Sequence, residues 1–174
     1  MKNILIKFLP LIVIVFLNIA CGNSDEGNSP TLDGTDPGQN EFLMAKLRIN
    51  EDVFNTINTN RINKIRKGEA YSINNVKRIG DFLHINLSYS GGCKIHDFEI
   101  IWDGIVYTDE PCHMNLLLIH NANNDTCEAL ITRTIVVNLE ELIGDVLYKD
   151  NCAYHIYSTY NSSEFADAVI EGLN

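Results

Sequence analysis

Gly91-Gly92-Cys93-Lys94-Ile95-His96-Asp97-Phe98 is joined downstream by His120-Asn121-Ala122-Asn123-Asn124-Asp125-Thr126-Cys127, and only here do several chemically able side chains gather in the 174-residue chain. Three chemistries compete for the cluster. In the first, which is structural, Gly91-Gly92 makes a bend, Cys93 pairs with Cys127, and His96 and His120 hydrogen-bond to loop backbone. In the second, neutral imidazoles of His96 and His120 bind zinc or copper together with Asp97, Asp125 or His113, as these borderline ions favour. The chain has no short two-cysteine or His-x-x-x-His spacing, so such ligands would have to meet through the fold. In the third, Asn121, Asn123 and Asp125 present oxygens at alternate positions, as calcium loops do. That pattern lacks the glycine and the bidentate glutamate of an EF-hand, with Thr126 and Thr132 in their places.

Catalytic patterns are scarcer. Cys93 beside His96, or Cys112 beside His113, offers a thiolate-imidazolium pair on paper, but a nucleophile must stay reduced and needs a third group to orient its base. No Gly-x-Ser-x-Gly elbow, Ser-x-x-Lys, His-Glu-x-x-His, phosphate-binding glycine loop or dinucleotide fingerprint occurs. Asp109-Glu110 and Glu140-Glu141 are adjacent pairs that would point to opposite faces of a strand, so they read as solvated surface. The expectation is a module that binds and does not catalyse.

The elements that must position the cluster alternate with a period of two. Phe82 to Tyr89 places Leu83, Ile85, Leu87 and Tyr89 on one face of a half-buried strand. Asp97 to Trp102, then Asp103-Gly104, then Ile105 to Tyr107 predicts a hairpin on an Asp-Gly turn. Met114 to His120, Glu128 to Asn138, Asp145 to Lys149 and Cys152 to Tyr160 are further short β-branched or aromatic runs. Helical spacing is confined to Glu51 to Asn58, Leu139 to Ile143 and a tail in which Ser163 would cap Glu164 to Glu171. Strands at this spacing predict a mainly β fold, an antiparallel sandwich or barrel-like domain with one or two short helices.

Charge excludes one class of partner. Residues 21–174 carry 11 Lys plus Arg against 23 Asp plus Glu, a formal charge of −12. Such a surface repels nucleic acid and anionic headgroups, whose binders show a basic patch. The basic residues Arg61, Lys64, Arg66 and Lys67 form the only such run, which reads as a solvated loop or short helix beside the Asn-rich stretch 55–60. Residues 42–174 are long enough for one domain that buries about two thirds of its unfolded surface.

The N-terminus carries the most specific pattern. Lys2 and Lys7 precede an apolar run from Phe8 to Ala20, which closes as Leu17-Asn18-Ile19-Ala20-Cys21. The run, interrupted by Pro10 and Asn18, is too short to span a bilayer. It resembles the lipobox signal peptide of bacterial lipoproteins. The resemblance implies removal of residues 1–20, diacylglyceryl transfer to the Cys21 sulfur, and acylation (palmitate) of the new N-terminus. Several chains, at roughly 0.8 kcal/mol per buried methylene, make such an anchor effectively permanent. Residues 22–41 hold five acids, no bases and one large apolar residue, Leu32, so they predict a disordered acidic tether of about 25 Å. Ser24-Asp25-Glu26, just past the cysteine, is similar to the acidic signal that sends some Gram-negative lipoproteins to the outer face of the outer membrane. The expected location is therefore the outer membrane, facing the surface or the periplasm.

With Cys21 lipidated, Cys93, Cys112, Cys127 and Cys152 remain in an oxidising compartment, where two disulfides are expected. Three pairings are open. The one taken is Cys93 with Cys127 and Cys112 with Cys152, because Cys93 and Cys127 sit at the outer ends of two strands expected to be neighbours. Immunoglobulin spacing does not fit, since Cys93, Trp102 and Cys127 are too compressed. The cluster as a whole, with Gly-Gly-Cys, His96-Asp97-Phe98, His120 and Asp125-Thr126-Cys127, resembles a set of uncharacterised bacterial lipoprotein domains. That resemblance brings no activity with it. The partners expected are the lipid bilayer through Cys21 and a protein or glycan ligand, with no cofactor, or zinc or copper in the alternative; a hydrolase is the remote alternative.

Overall fold

The computed structural model describes residues 42–173, which fall within the compact unit Gly38–Asn174. Cys21, the signal segment 1–20 and the whole of the tether 21–41 lie outside the described residues. None of the described helices is long and apolar enough to cross a membrane.

The fold is mainly β, two sheets packed face to face. One sheet contains β1 (Leu43–Met44), β7 (Ala129–Asn138), β4 (Phe82–Gly91) and β3 (Tyr71–Ile79), in that spatial order. The other contains β2 (Lys46–Ile49), β5 (Asp97–Trp102), β6 (His113–Asn121), β8 (Ala153–Ser158) and β9 (Ala168–Ile170). Three helices complete it, α1 (Glu51–Ile62), α2 (Leu139–Ile143) and α3 (Val146–Asn151), where one or two were expected. Antiparallel pairing dominates around β4, but β1 runs parallel to β7, β2 to β5 and β6 to β8. Residues 43–49 form one extended segment that crosses from one sheet to the other at Ala45, whose N–H donates to the Val136 carbonyl. This closes one side of the sandwich, while on the other side the edge strands β3 and β9 lie beside each other. The result is a sandwich with barrel character.

The alternation in β4 is realised as read: Leu83, Ile85, Leu87 and Tyr89 are buried against Phe98, Ile100 and Trp102 of β5, Met114, Leu116 and Leu118 of β6, and Tyr154 and Ile156 of β8. The consecutive apolar runs of β5 and β6 have a different cause. Their other face, with Ile101, Leu117 and Ile119, is covered by Phe54 and Ile57 of α1, so both faces of these strands are dry. Helix α1 starts where Asn50 Oδ1 accepts the Val53 N–H, a side-chain cap.

Several local expectations are corrected. The segment Asp145 to Lys149 is not a strand but the start of α3, because Asp145 Oδ1 accepts the N–H groups of Leu147 and Tyr148. The tail does not form a helix. Ser163 Oγ accepts the nearby Phe165 N–H, Asp167 is drawn onto the end of β8 through the Ser158 N–H, and Ala168–Ile170 pair with β8. The Asp103-Gly104 hairpin is absent because both edges of β5 are already occupied, by β2 and by β6. Asp103 instead accepts from the Ile105 N–H and the Tyr107 hydroxyl, and Tyr107 makes a single bridge to His113. Arg61 is no solvated residue: it is buried, stacks on Tyr157 and donates to Asn58 Oδ1 and the Ser163 carbonyl. Glu140 and Glu141 are exposed, as expected, and Glu140 also accepts from Lys149 Nζ.

Candidate functional site

Strand β4 ends at Gly91, and the chain then turns through Gly92, whose φ of +116° is a conformation that favours glycine. The turn aims three successive N–H groups at one atom. Asp125 Oδ2 accepts from Gly92 N at 2.9 Å, Cys93 N at 2.9 Å and Lys94 N at 3.0 Å, while Oδ1 takes the Cys127 N–H at 2.9 Å. The N–H groups of Cys127, Lys94 and Cys93, with Cys127 first, hold the Asp125 carboxyl well below the ordinary carboxylate range against the opposing effect of burial. The loop that delivers Asp125 turns through Asn123 and Asn124, both at positive φ, which asparagine tolerates better than most residues. A disulfide joins Cys93 to Cys127 beside the carboxylate, and a second joins Cys112 to Cys152.

A chain of side-chain hydrogen bonds runs inward from Asp125. His96 Nε2 lies 3.1 Å from Asp125 Oδ2, and His96 Nδ1 lies 2.7 Å from His120 Nε2. Because an ionised carboxylate only accepts, His96 carries its proton on Nε2 and accepts through Nδ1, which assigns a proton to His120 Nε2. That leaves His120 Nδ1 as a lone pair, and it is buried with no partner among the described residues. His120 is enclosed by aromatic rings, stacked on Phe98 at 4.7 Å, with Tyr89 at 4.9 Å and Tyr71 edge-on at 5.8 Å. Burial, then the neighbouring His96, pushes its pKa below the ordinary histidine value. A Cβ at Gly91 would lie 2.5 Å from His96 Cε1, so the absence of a side chain there makes room for the ring.

The structure thus gathers His96, His120, Asp125, Cys93 and Cys127 and leaves the other suggested ligands elsewhere. Asp97 is turned to Lys46 Nζ at 3.0 Å and Asn123 Nδ2 at 3.0 Å. His113 stacks between Tyr107 and His155, 3.7 Å from Asp109. Two imidazoles on one tetrahedral zinc place their nitrogens about 3.3 Å apart, from bond lengths near 2.0–2.1 Å. The 2.7 Å between His96 and His120 is the spacing of a shared proton, and the free lone pair is on the far side of His120. Cys93, Asp125 and Cys127 converge within 4.8 Å, but both sulfurs are spent in the disulfide. At the calcium-like loop, Asn121 Oδ1 accepts the Asn123 N–H, and the Lys94 ammonium sits on the carbonyls of Asn123 and Asn124. A fixed cation of the chain occupies that side of the loop.

Lys94 and Tyr89 were given no role at the site by the sequence, and Gly91 only that of a bend. Lys94 stands inside the Gly-Gly-Cys-Lys-Ile-His run and was legible there as a cation beside oxygen-rich Asn residues. Tyr89 was assigned to the core by alternation, and it serves both the core and the histidine pair.

No family model matches the chain, and no curated protein matches it. Solved structures with a similar chain path include a NigD-like immunity protein from Bacteroides caccae, at 18% identity and a TM-score of 0.46, covering 67% of this chain and 52% of that one. A protein described as toxin-related, from Parabacteroides distasonis, aligns at 20% identity and a TM-score of 0.43, over 70% and 62% of the two chains. A protein of unknown function from Bacteroides vulgatus aligns at 11% identity and a TM-score of 0.48, over 76% and 57%. The alignments thus span between about half and three fifths of the length of these proteins. The likeness brings no function to this chain.

Proposed function

We propose that the chain is a bacterial lipoprotein, held in the outer membrane by an acylated Cys21, that carries a disulfide-stabilised β domain of residues 42–174 on the acidic tether 21–41. The domain serves as a non-catalytic binding or structural module at the surface or in the periplasm. The observation that carries this reading is Leu17-Asn18-Ile19-Ala20-Cys21 at the end of an apolar run that follows two lysines. Supporting it, the four remaining cysteines are all in disulfides, as suits an oxidising compartment, and no thiol among them is left to act as a nucleophile. The test is fractionation of the full chain expressed in a Gram-negative host. Cys21→Ala is expected to move the protein from the membrane to the soluble fraction, and unchanged partition would remove the anchor from the reading.

A second reading places a zinc or copper ion on His120 Nδ1, with His96 and Asp125 behind it in the hydrogen-bond chain. It is favoured by one observation, the unpartnered Nδ1 of His120. Elemental analysis of untagged protein decides it: near-stoichiometric metal that is lost in His120→Ala would establish the ion, and metal-free protein would dismiss it.

A further inference from the structure

Away from the histidine pair, a cleft of about 400 Å³ opens at the end of the seam between the edge strands β3 and β9. This lies within the range of about 300–1,000 Å³ common for small-molecule sites, but its lining is mainly polar where those are mainly apolar. Its walls include Tyr71 and Ser72 at the start of β3, Tyr160 and Asn161 at the end of β8, Asp167 before β9, and Arg66 from the loop after α1.

The walls are tied in place. Asp167 Oδ2 accepts the Ser158 N–H at 2.7 Å and Oδ1 accepts Asn161 Nδ2 at 2.6 Å. Thr159 Oγ1 donates to the Lys67 carbonyl at 2.8 Å, which fixes the loop that carries Arg66 to the end of β8. The Arg66 guanidinium lies over the Tyr160 ring, 4.6 Å from its centre. Arg61, buried behind, donates to the Ser163 carbonyl and offsets part of the Asp167 charge. Among the described residues, the Arg66 guanidinium and the hydroxyls of Ser72 and Tyr160 have no hydrogen-bond partner, while Tyr71 has spent its own on the Leu118 carbonyl.

The charges and donors select the ligand. One cation, Arg66, and one carboxylate, Asp167, line the cleft. A carboxylate or phosphate ligand would satisfy the first and oppose the second, an ammonium would do the reverse, and a zwitterion would meet both charges while leaving the Ser72 and Tyr160 hydroxyls unused. A compact ring of hydroxyls meets both, since one hydroxyl can donate to a remaining lone pair of Asp167 while its neighbours accept from Arg66, Ser72 or Tyr160. We infer that this cleft binds an uncharged hexopyranose, free or at the end of a glycan, held between Arg66 and Asp167 with Ser72 and Tyr160 completing the contacts. This deepens the binding-module reading and rests on it. The anchor is tested separately by Cys21→Ala, so failure of the cleft leaves the membrane result standing.

The experiment uses the full chain in detergent micelles, probed with the methyl pyranosides of glucose, galactose, mannose and N-acetylglucosamine, and with glucuronate and putrescine as charged controls. Ligand-observed saturation-transfer NMR detects binding, and calorimetry gives the affinity. At least one methyl glycoside is expected to bind in preference to both controls, with Arg66→Ala weakening it about tenfold, the loss of a hydrogen bond from a charged donor. Ser72→Ala is expected to weaken it less, and both variants keep the wild-type melting temperature because neither side chain is buried. A matching oligosaccharide that binds more tightly than its monosaccharide assigns the source to a glycan, and equal affinity assigns it to the free sugar. Absence of binding by every glycoside, preference for glucuronate or putrescine, or affinity unmoved in both variants would overturn the inference.

Discussion

The two ends of β4 are held by different means. At the Gly91 end, Asp125 is enclosed: its side chain is fully buried, and its partners are backbone N–H groups and the buried ring of His96. At the Phe82 end, Lys149 Nζ reaches Asp81 at 2.6 Å and Glu140 at 2.5 Å, and Arg78 reaches Asp150 at 2.5 Å, with all three carboxylates at least partly in solvent. Each end also has one disulfide, Cys93–Cys127 at the first and Cys112–Cys152 at the second. One end therefore puts its buried charge against main-chain dipoles, and the other puts buried cations against wet anions. The first fixes the path of a loop, and the second ties distant elements together while leaving the carboxylates hydrated.

The largest effect expected is at the disulfides, and it separates covalent closure from packing. Their sequence separations, 34 and 40, are close, so the loop-entropy part of their stabilisation is nearly the same, with each bridge contributing about 2–4 kcal/mol. Cys152, however, is fully buried in the main core, whereas Cys93 is exposed. Double replacement by alanine should therefore cost more at Cys112 and Cys152 than at Cys93 and Cys127, because the former also leaves a cavity. Equilibrium unfolding in urea measures both; an equal or larger loss at Cys93 and Cys127 would break the comparison. Next in size is Gly91→Ala, whose new Cβ meets the enclosed His96 ring and should destabilise by about 1–3 kcal/mol, as overpacking does. Unchanged stability there would mean the ring can move aside, so that this end is less rigid than its hydrogen bonds imply.

The same contrast explains what was legible in the sequence. The Gly91 end is written in two short runs, 91–98 and 120–127, where the turn glycines, the cysteines and both histidines sit within a few residues of one another. Local spacing was therefore enough to name the cluster, and β4 alternation was enough to place it at a strand end. The direction of the histidine nitrogens was not legible, because the 2.7 Å contact depends on the register of β5 on β6, which sets Phe98 opposite His120. The Phe82 end joins residues about seventy positions apart, Arg78 to Asp150 and Asp81 to Lys149, and no spacing rule reaches that far. Strand β3 went unread for a local reason. Its register shifts between Ile73 and Asn75, with the Asn74 side chain turned to Asn86 and Ser88, so the period of two is broken in mid-strand. The tail misled because Ser163 does receive an N–H, as a cap would, but Asp167 draws the following residues into a strand.

The smallest effect expected is also the most selective, since acid should act through the buried histidines and salt through the exposed carboxylates of the Phe82 end. His120 is held below its unfolded pKa of about 6.5, so the folded state binds fewer protons than the unfolded chain. Its contribution is constant above that pH and is lost as the pH falls from about 6.5 toward the folded value. His155, lowered by burial and then by His113, acts in the same direction. Asp125, with its pKa depressed, loses its contribution only in far stronger acid. Lys149, with its pKa raised by Asp81 and then Glu140, loses its own only in strong alkali, so neither titrates between pH 7 and 5. The melting temperature should therefore fall over that interval, with His120→Gln and His155→Gln each flattening part of the slope. Added salt at pH 7 should act instead on the Phe82 end, where Asp81 and Glu140 are more than half exposed and open to screening. Glu140→Gln should remove some of the salt dependence and leave the acid slope unchanged. A flat profile from pH 7 to 5 in the parent chain would mean that the histidine pair accepts its extra proton without cost, with His120 Nδ1 finding an acceptor on protonation. The enclosed end would then be as adaptable as the wet one.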